Sequence, residues 1–505
     1  MAQDYLSLSE QHSFRTLPPL LIITLLFAST PFRELYGQRI EARFQVDASS
    51  DSVLEVHARF SRGRHLSFLR SIMGIDELAM RISDLRLVDG KSSRDVVYRQ
   101  LVPGEYVADS DFDWAFYRLN PTPLKNRSSA AHVSWLNGDV GILMLGDLLP
   151  KVAGRSPDTS GIVTWSARAG RRLPVYSVEK QIDEQSFEFD NVDDAVFFVG
   201  NGWRSRELTG GAAKLTFNIS GQWNFTDDEA ASMLSEIFSE HQKLFAVVPG
   251  AGAQVGLAKF PTPAEYGAWE AETRGRNVTI ISSDMPFKTQ SLQRLHEQLR
   301  HEVFHLWIPN GVNLTGNYDW FYEGFALYRS LKLAVSLNRI RFEDFLDTLS
   351  RAHTIDSAHT RRPSLIEASK TRFLGSNTQI YARGMLVAFL CDLELLRGSK
   401  GKRSVEYILR ELFEKHRKPA EPVEGNAAVL SLLRSNPQIV PIVESYITGA
   451  DRIEWTANLA AAGIEDADTG PLTALKVKEK LNRGQKTLLD KLGYNNWRKL
   501  SPNSK

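Results

Sequence analysis

The pentapeptide His301-Glu302-Val303-Phe304-His305 constrains this chain more than any other feature. Two histidines four residues apart share one face of an α-helix, so the segment is expected to be helical, with the Glu302 carboxylate beside a point both imidazoles can reach. Leu292, Leu295, Leu299 and Val303 recur at helical spacing, which places the pentapeptide near the end of a long helix. Val303, Phe304, Leu306 and Trp307 are apolar, which suits a buried site rather than a solvated face. Imidazoles at this spacing form a metal-binding pair, and the intervening carboxylate lies where a general base acts on metal-activated water.

A catalytic zinc site takes three protein ligands and keeps one position for water or substrate. In Trp320-Phe321-Tyr322-Glu323-Gly324-Phe325-Ala326, Glu323 is the lone carboxylate of an apolar helical segment. Burying a carboxylate without a partner is costly, and a metal ion supplies a partner. One Zn2+ held by His301, His305 and Glu323 is expected, with Glu302 as general base. The structural alternatives are a solvated helix face for the pentapeptide and a salt-bridged core residue for Glu323. The reaction implied is amide hydrolysis, whose oxyanion needs a donor besides the metal. Tyr381, in Ile380-Tyr381-Ala382-Arg383-Gly384, is the candidate donor, although taken alone such a tyrosine reads as packing.

Residues 301–326 together with 381–384 resemble the gluzincin aminopeptidases, which include the alanyl aminopeptidases and leukotriene A4 hydrolase. Those families carry the HExxH pentapeptide, then a Glu in an EGFA-like helix, then a catalytic Tyr in Tyr-x-Lys-Gly. Glu323-Gly324-Phe325-Ala326 matches the second element, and Tyr381-Ala382-Arg383-Gly384 the third with Arg for Lys. The resemblance implies His301, His305 and Glu323 as ligands, Glu302 as base and Tyr381 as oxyanion donor. Within the group the chain is more similar to the glycyl aminopeptidase branch, through Gly384-Met385-Leu386-Val387-Ala388, Gly401-Lys402-Arg403-Ser404 and residues 446–464. The likeness spans about residues 227–464. Three departures stand out. The interval from His305 to Glu323 is one residue shorter than the aminopeptidase norm, the chain after Ile464 is too short for the PDZ domain that often ends the glycyl branch, and the amine-binding Gly-x-Met-Glu-Asn element is not intact. An aminopeptidase anchors the substrate ammonium with a carboxylate near the metal. Glu270, in Gly267-Ala268-Trp269-Glu270, is the candidate and Glu272 the alternate, against a solvated pair beside Arg274 and Arg276. The leading expectation is a zinc aminopeptidase acting on peptides or proteins. A metallo-endopeptidase with the same centre and a non-catalytic peptide-binding protein on a degenerate scaffold are the alternatives.

At 505 residues, the chain calls for two or three domains. The expected class is α+β multidomain. Residues 38–225, with β-rich runs at 40–46, 53–59, 161–167, 195–199 and 214–219, form an N-terminal antiparallel β domain. A thermolysin-like catalytic domain at 226–397, a C-terminal helical region at 398–470 and a basic polar tail at 471–505 follow. Residues 1–37 read as a signal peptide or anchor, because the apolar run 17–28 is followed by Ala28, Ser29 and Thr30 and is too short for an ordinary spanning helix. Asp4, Glu10 and Pro18-Pro19 argue against that reading. Export to the periplasm or outside is expected, with membrane contact only if the segment is retained. A formal charge of +1 with 24% charged residues provides no pull toward nucleic acid. Cys391, the single cysteine, lies in an apolar helical run and reads as an inert buried thiol.

Overall fold

The computed structural model describes residues 39–47, 53–152, 160–167, 173–210, 213–247, 250–359, 362–466 and 473–496. The leader expected at 1–37, with its apolar run 17–28, lies outside the described residues. Among the described residues no helix is long and apolar enough to cross a membrane.

The chain is α+β, with a β-rich front, a central α+β layer and a helical C-terminal part. Two long strands, Val53–Ser67 and Glu105–Leu119, organise a ten-stranded front sheet. Along the second strand Tyr106, Ala108 and Phe112 and then Ala115, Tyr117 and Leu119 are buried, two period-two runs whose parity changes where its pairing with Val53–Ser67 shifts register. Pairing is antiparallel except that Arg39–Asp47 runs parallel to Ser160–Ala167. A four-stranded sheet contains Val196–Val199, all four residues of which are buried. Its alternate side chains serve two cores. Phe197 and Val199 join the front core with Trp165, whereas Val196 and Phe198 join Trp203, Ala258 and Ile281 of the next layer.

That layer is a five-stranded sheet in the order Trp203–Gly210, Ala213–Ser220, Gly252–Lys259, Asn277–Ser282, Trp269–Arg274. Its three middle strands are parallel, and Trp269–Arg274 forms an antiparallel edge. The chain therefore enters this sheet before residue 226, where the sequence reading sets the boundary. The alternation at 214–219 is the same whichever sheet the strand joins, so its partner cannot be read from it. Thr226 and Glu229 form a capping box that starts helix Asp227–Phe245. Helices Lys288–Glu302, Asp319–Ser336, Phe342–Ala358 and Asn377–Gly398 share one core with Val405–His416 and Gly425–Arg434. Cys391 is buried inside it, and burial pushes its thiol up.

Of the basic tail expected at 471–505, residues 473–496 are described. Leu475–Val477 pairs with Ile464–Asp466, and helix Arg483–Leu492 buries Leu488, Leu489 and Leu492 in the same core. Its lysines form only the solvated face of an amphipathic helix.

Candidate metal centre

The helix Lys288–Glu302 carries His301 and Glu302 in its last turn, and a tighter 3-10 turn, Val303–Leu306, carries His305. His301, Glu302, His305 and Glu323 are each only 5% to 6% exposed. Nε2 of His301 lies 3.1 Å from Nε2 of His305 and 3.1 Å from Oε2 of Glu323, and His305 Nε2 lies 3.5 Å from the same oxygen. Glu302 stands at the flank, with Oε1 3.9 Å from His301 Nε2. The Thr273 hydroxyl, on the edge strand, lies 3.1 Å from both the carbonyl and Oε2 of Glu302 and donates to one at a time. Asn310 ties this strand to the histidine turn by donating to the carbonyls of Thr273 (3.0 Å) and His305 (3.1 Å).

Two glycines make the convergence possible. A Cβ on Gly324 would lie 2.5 Å from the Cα and carbonyl carbon of Gly384, so helices Asp319–Ser336 and Asn377–Gly398 touch backbone to backbone there. Glu323 precedes one glycine and Tyr381 lies one turn before the other, so the contact brings carboxylate and phenol to one place. Arg383 does not join them. It is buried on Asp356 at 3.2–3.3 Å and donates to the carbonyls of Tyr446 and Asp451, bracing the helix from behind. Arg372, in the 3-10 turn Arg372–Leu374, donates to Asp319 Oδ1 (2.8 Å) and the Tyr381 hydroxyl (2.8 Å) and forms an ion pair with Glu323 Oε1 (2.9 Å).

The electrostatics follow from burial and neighbours. Burial alone would lower His305, but the Glu323 and Glu302 carboxylates outweigh it and hold the ring up at about 9. Burial would raise Glu323, yet His305, His301 and Arg372 keep it well below the usual carboxylate range. Burial dominates at Glu302 and raises it, against the opposing pull of His301 and His305. At Tyr381 burial and then Glu323 push the phenol well up, so it stays a protonated donor.

These residues line a cleft of about 680 Å³. Glu270 and Glu272 line it from the edge strand. Ser128 of the β-rich front donates to Glu270 at a long 3.4 Å. Glu272 is engaged more closely, 2.6 Å from His132 Nδ1 and 3.6 Å from Arg274 Nε. Burial would raise its carboxyl, but His132 and Arg274 bring it below the usual range. The β-rich front thus supplies a wall of the cleft through Ser128 and His132. Thr273, Asn310, His132, Asp319 and Arg372 escaped the sequence reading. Only Asp319, one residue before Trp320, lies beside a motif.

The donor set suits a divalent ion. His305 Nδ1 lies 3.0 Å from the Ile308 carbonyl, to which it donates, so in the neutral ring Nε2 offers its lone pair inward. Among the described residues His301, His305 and Glu323 are the group able to hold a metal ion, with one donor atom from each within 4.8 Å of the others. Two imidazole nitrogens and one carboxylate oxygen match zinc's preferences.

No family model matches the chain, and no curated protein matches it. Solved structures do. An aminopeptidase N family protein from Idiomarina loihiensis superposes with a TM-score of 0.70 at 16% identity, covering 84% of this chain and 78% of that one. An M1 zinc metallopeptidase from Deinococcus radiodurans superposes at 0.53 with 16% identity, covering 83% and 94%. An alanine mutant of the latter, bound to a Tyr-Ser-Ala substrate, superposes at 0.52 with 15% identity, covering 83% and 95%. At these identities the likeness speaks to architecture, and on it the chain has a gluzincin aminopeptidase-like fold.

Proposed function

We propose that the chain is a zinc-dependent metallopeptidase and, within that class, an aminopeptidase that removes N-terminal residues from peptides. The observation that carries this reading is the convergence of His301, His305 and Glu323, with the Glu302 carboxylate beside them and the Tyr381 phenol close by, in one cleft. Bound there, zinc supplies Lewis-acid polarisation of a carbonyl and a lowered pKa for water. Glu302 takes the proton of the attacking water and passes it to the leaving amine. Tyr381, buried and protonated, donates to the developing oxyanion. The edge strand Trp269–Arg274 borders the cleft and has one unpaired side, along which an extended peptide can lie.

Glu270 is the amine anchor in this reading. Among the described residues its side chain forms one hydrogen bond, the long one from Ser128, so its charge is available to an ammonium, whereas Glu272 already faces His132 and Arg274. The Tyr-Ser-Ala substrate of the Deinococcus mutant supports peptides as the substrate class. Residues 17–28 are proposed to direct export.

The test is hydrolysis of a panel of free-amine and N-acetylated peptides, with chelator and with zinc restored. Chelator-sensitive cleavage confined to free-amine substrates is expected. Cleavage of N-acetylated peptides would move the reading to an endopeptidase, and cleavage indifferent to chelator would overturn it.

A further inference from the structure

The guanidinium of Arg372 joins groups that the proposed mechanism uses separately. It comes from outside both motif helices, in the turn after helix Leu365–Lys370, and its side chain is only 13% exposed. One nitrogen donates to Asp319 Oδ1 at 2.8 Å. The other donates to the Tyr381 hydroxyl at 2.8 Å and forms an ion pair with Glu323 Oε1 at 2.9 Å. Asp319 in turn accepts from the Tyr322 hydroxyl at 2.8 Å, which anchors the far side of the fork. The two oxygens of Glu323 are thereby divided: Oε1 belongs to Arg372, and Oε2 faces His301 and His305.

We propose that Arg372 is a positioning residue that sets both the ligand oxygen and the oxyanion donor. Holding Oε1 leaves Glu323 the single oxygen Oε2, beside His301 and His305, with which it would hold a metal ion. Donating to the Tyr381 oxygen occupies one phenol lone pair and leaves the O–H proton as the group Tyr381 can give. The same cation makes the phenol a better donor in the transition state, because it stabilises charge shared onto that oxygen. A planar fork with several donors can do this at two sites at once, whereas an ammonium is a point charge. Asp319 is the counterpart that keeps the fork oriented, so its role is indirect.

The inference rests on the proposed zinc centre, and its test separates the two. Zinc affinity is measured by competition with a chromophoric chelator, and kcat and KM on a free-amine peptide, for wild type, Arg372→Ala, Arg372→Lys, Tyr381→Phe and Arg372→Ala/Tyr381→Phe. Arg372→Ala is expected to weaken zinc by about 10–100-fold, the usual effect of losing a partner behind a ligand. Its kcat is expected to fall with KM little changed, and part of that loss to vanish on the Tyr381→Phe background. Arg372→Lys, which keeps the charge and guards against misfolding of the alanine variant, is expected to restore zinc affinity more fully than kcat. Unchanged zinc affinity in Arg372→Ala, with its loss in kcat repeated in full on the Tyr381→Phe background, would overturn the proposal. A wild-type chain that binds no zinc fails the metal-centre reading instead. The zinc arm still reads Arg372 if the wild type binds metal without turning over peptide.

Discussion

Gly324→Ala perturbs the metal centre without touching any ligand. The added Cβ would lie 2.5 Å from the Cα and carbonyl carbon of Gly384 and 3.0 Å from the amide nitrogen of Met385. Carbon atoms prefer roughly 3.5–4.0 Å, so the two helices must separate by about 1 Å. All three obstructing atoms are backbone, and no side chain can swing aside. Overpacking of this kind costs about 1–3 kcal/mol in stability. The larger consequence is geometric, because Glu323 and Tyr381 sit on opposite sides of the widened gap. A displacement of about 1 Å at a reacting centre costs on the order of 10²-fold in rate. Zinc affinity by chelator competition and kcat on a free-amine peptide are the readouts, with urea unfolding alongside. Gly398→Ala is the control, since the nearest atoms its Cβ would meet belong to the Gln438 side chain, at an ordinary 3.5 Å. If Gly324→Ala matches that control in zinc affinity and in rate, the glycine contact does not set the site.

Three further outcomes are expected. Glu302→Gln keeps shape and ligands but removes the base, so turnover should fall by about 10²–10⁴-fold with zinc affinity within a few-fold of wild type; a retained rate would assign the proton transfer elsewhere. Glu270→Ala should raise KM for free-amine peptides, and an unchanged KM would move the amine anchor to Glu272. Between the β-rich front and the five-stranded sheet Glu179 is pushed up to about 7 from 4.5 by burial and by Asp190 and Asp194, against the pull of Arg276. Because its folded value lies above its unfolded one, the stability it confers is full below about pH 4.5 and is lost as pH rises through about 7. Urea unfolding should therefore show wild type losing stability relative to Glu179→Gln across that window, and parallel pH profiles would refute the assignment.

What was legible in the sequence is what is local in the chain. The histidine pair needs only a helical period, and Glu323 was visible as the one carboxylate in an apolar stretch. Tyr381 needed the family resemblance, because a tyrosine near a helix start carries no chemistry by itself. Arg372 was invisible because its role depends on the turn Arg372–Leu374 folding back over Asp319 and Glu323, and no spacing reports such a tertiary meeting. The pairing of Ala213–Ser220 with Gly252–Lys259 was hidden for a related reason, since alternation marks a strand without naming its neighbour. Composition also misled at the C-terminus, where lysines on one face of helix Arg483–Leu492 obscured the leucines buried on the other. The preference between Glu270 and Glu272 rests on His132, which precedes both by more than a hundred residues.

The central claim is a zinc centre built from His301, His305 and Glu323, and metal analysis of the purified chain tests it most directly. The wild type should carry one zinc ion per chain, released by chelator and taken up again on addition of zinc. Glu323→Ala should bind zinc far more weakly while remaining folded by circular dichroism. A folded wild-type chain that takes up no zinc, or a Glu323→Ala chain that binds it as tightly as wild type, would contradict the claim.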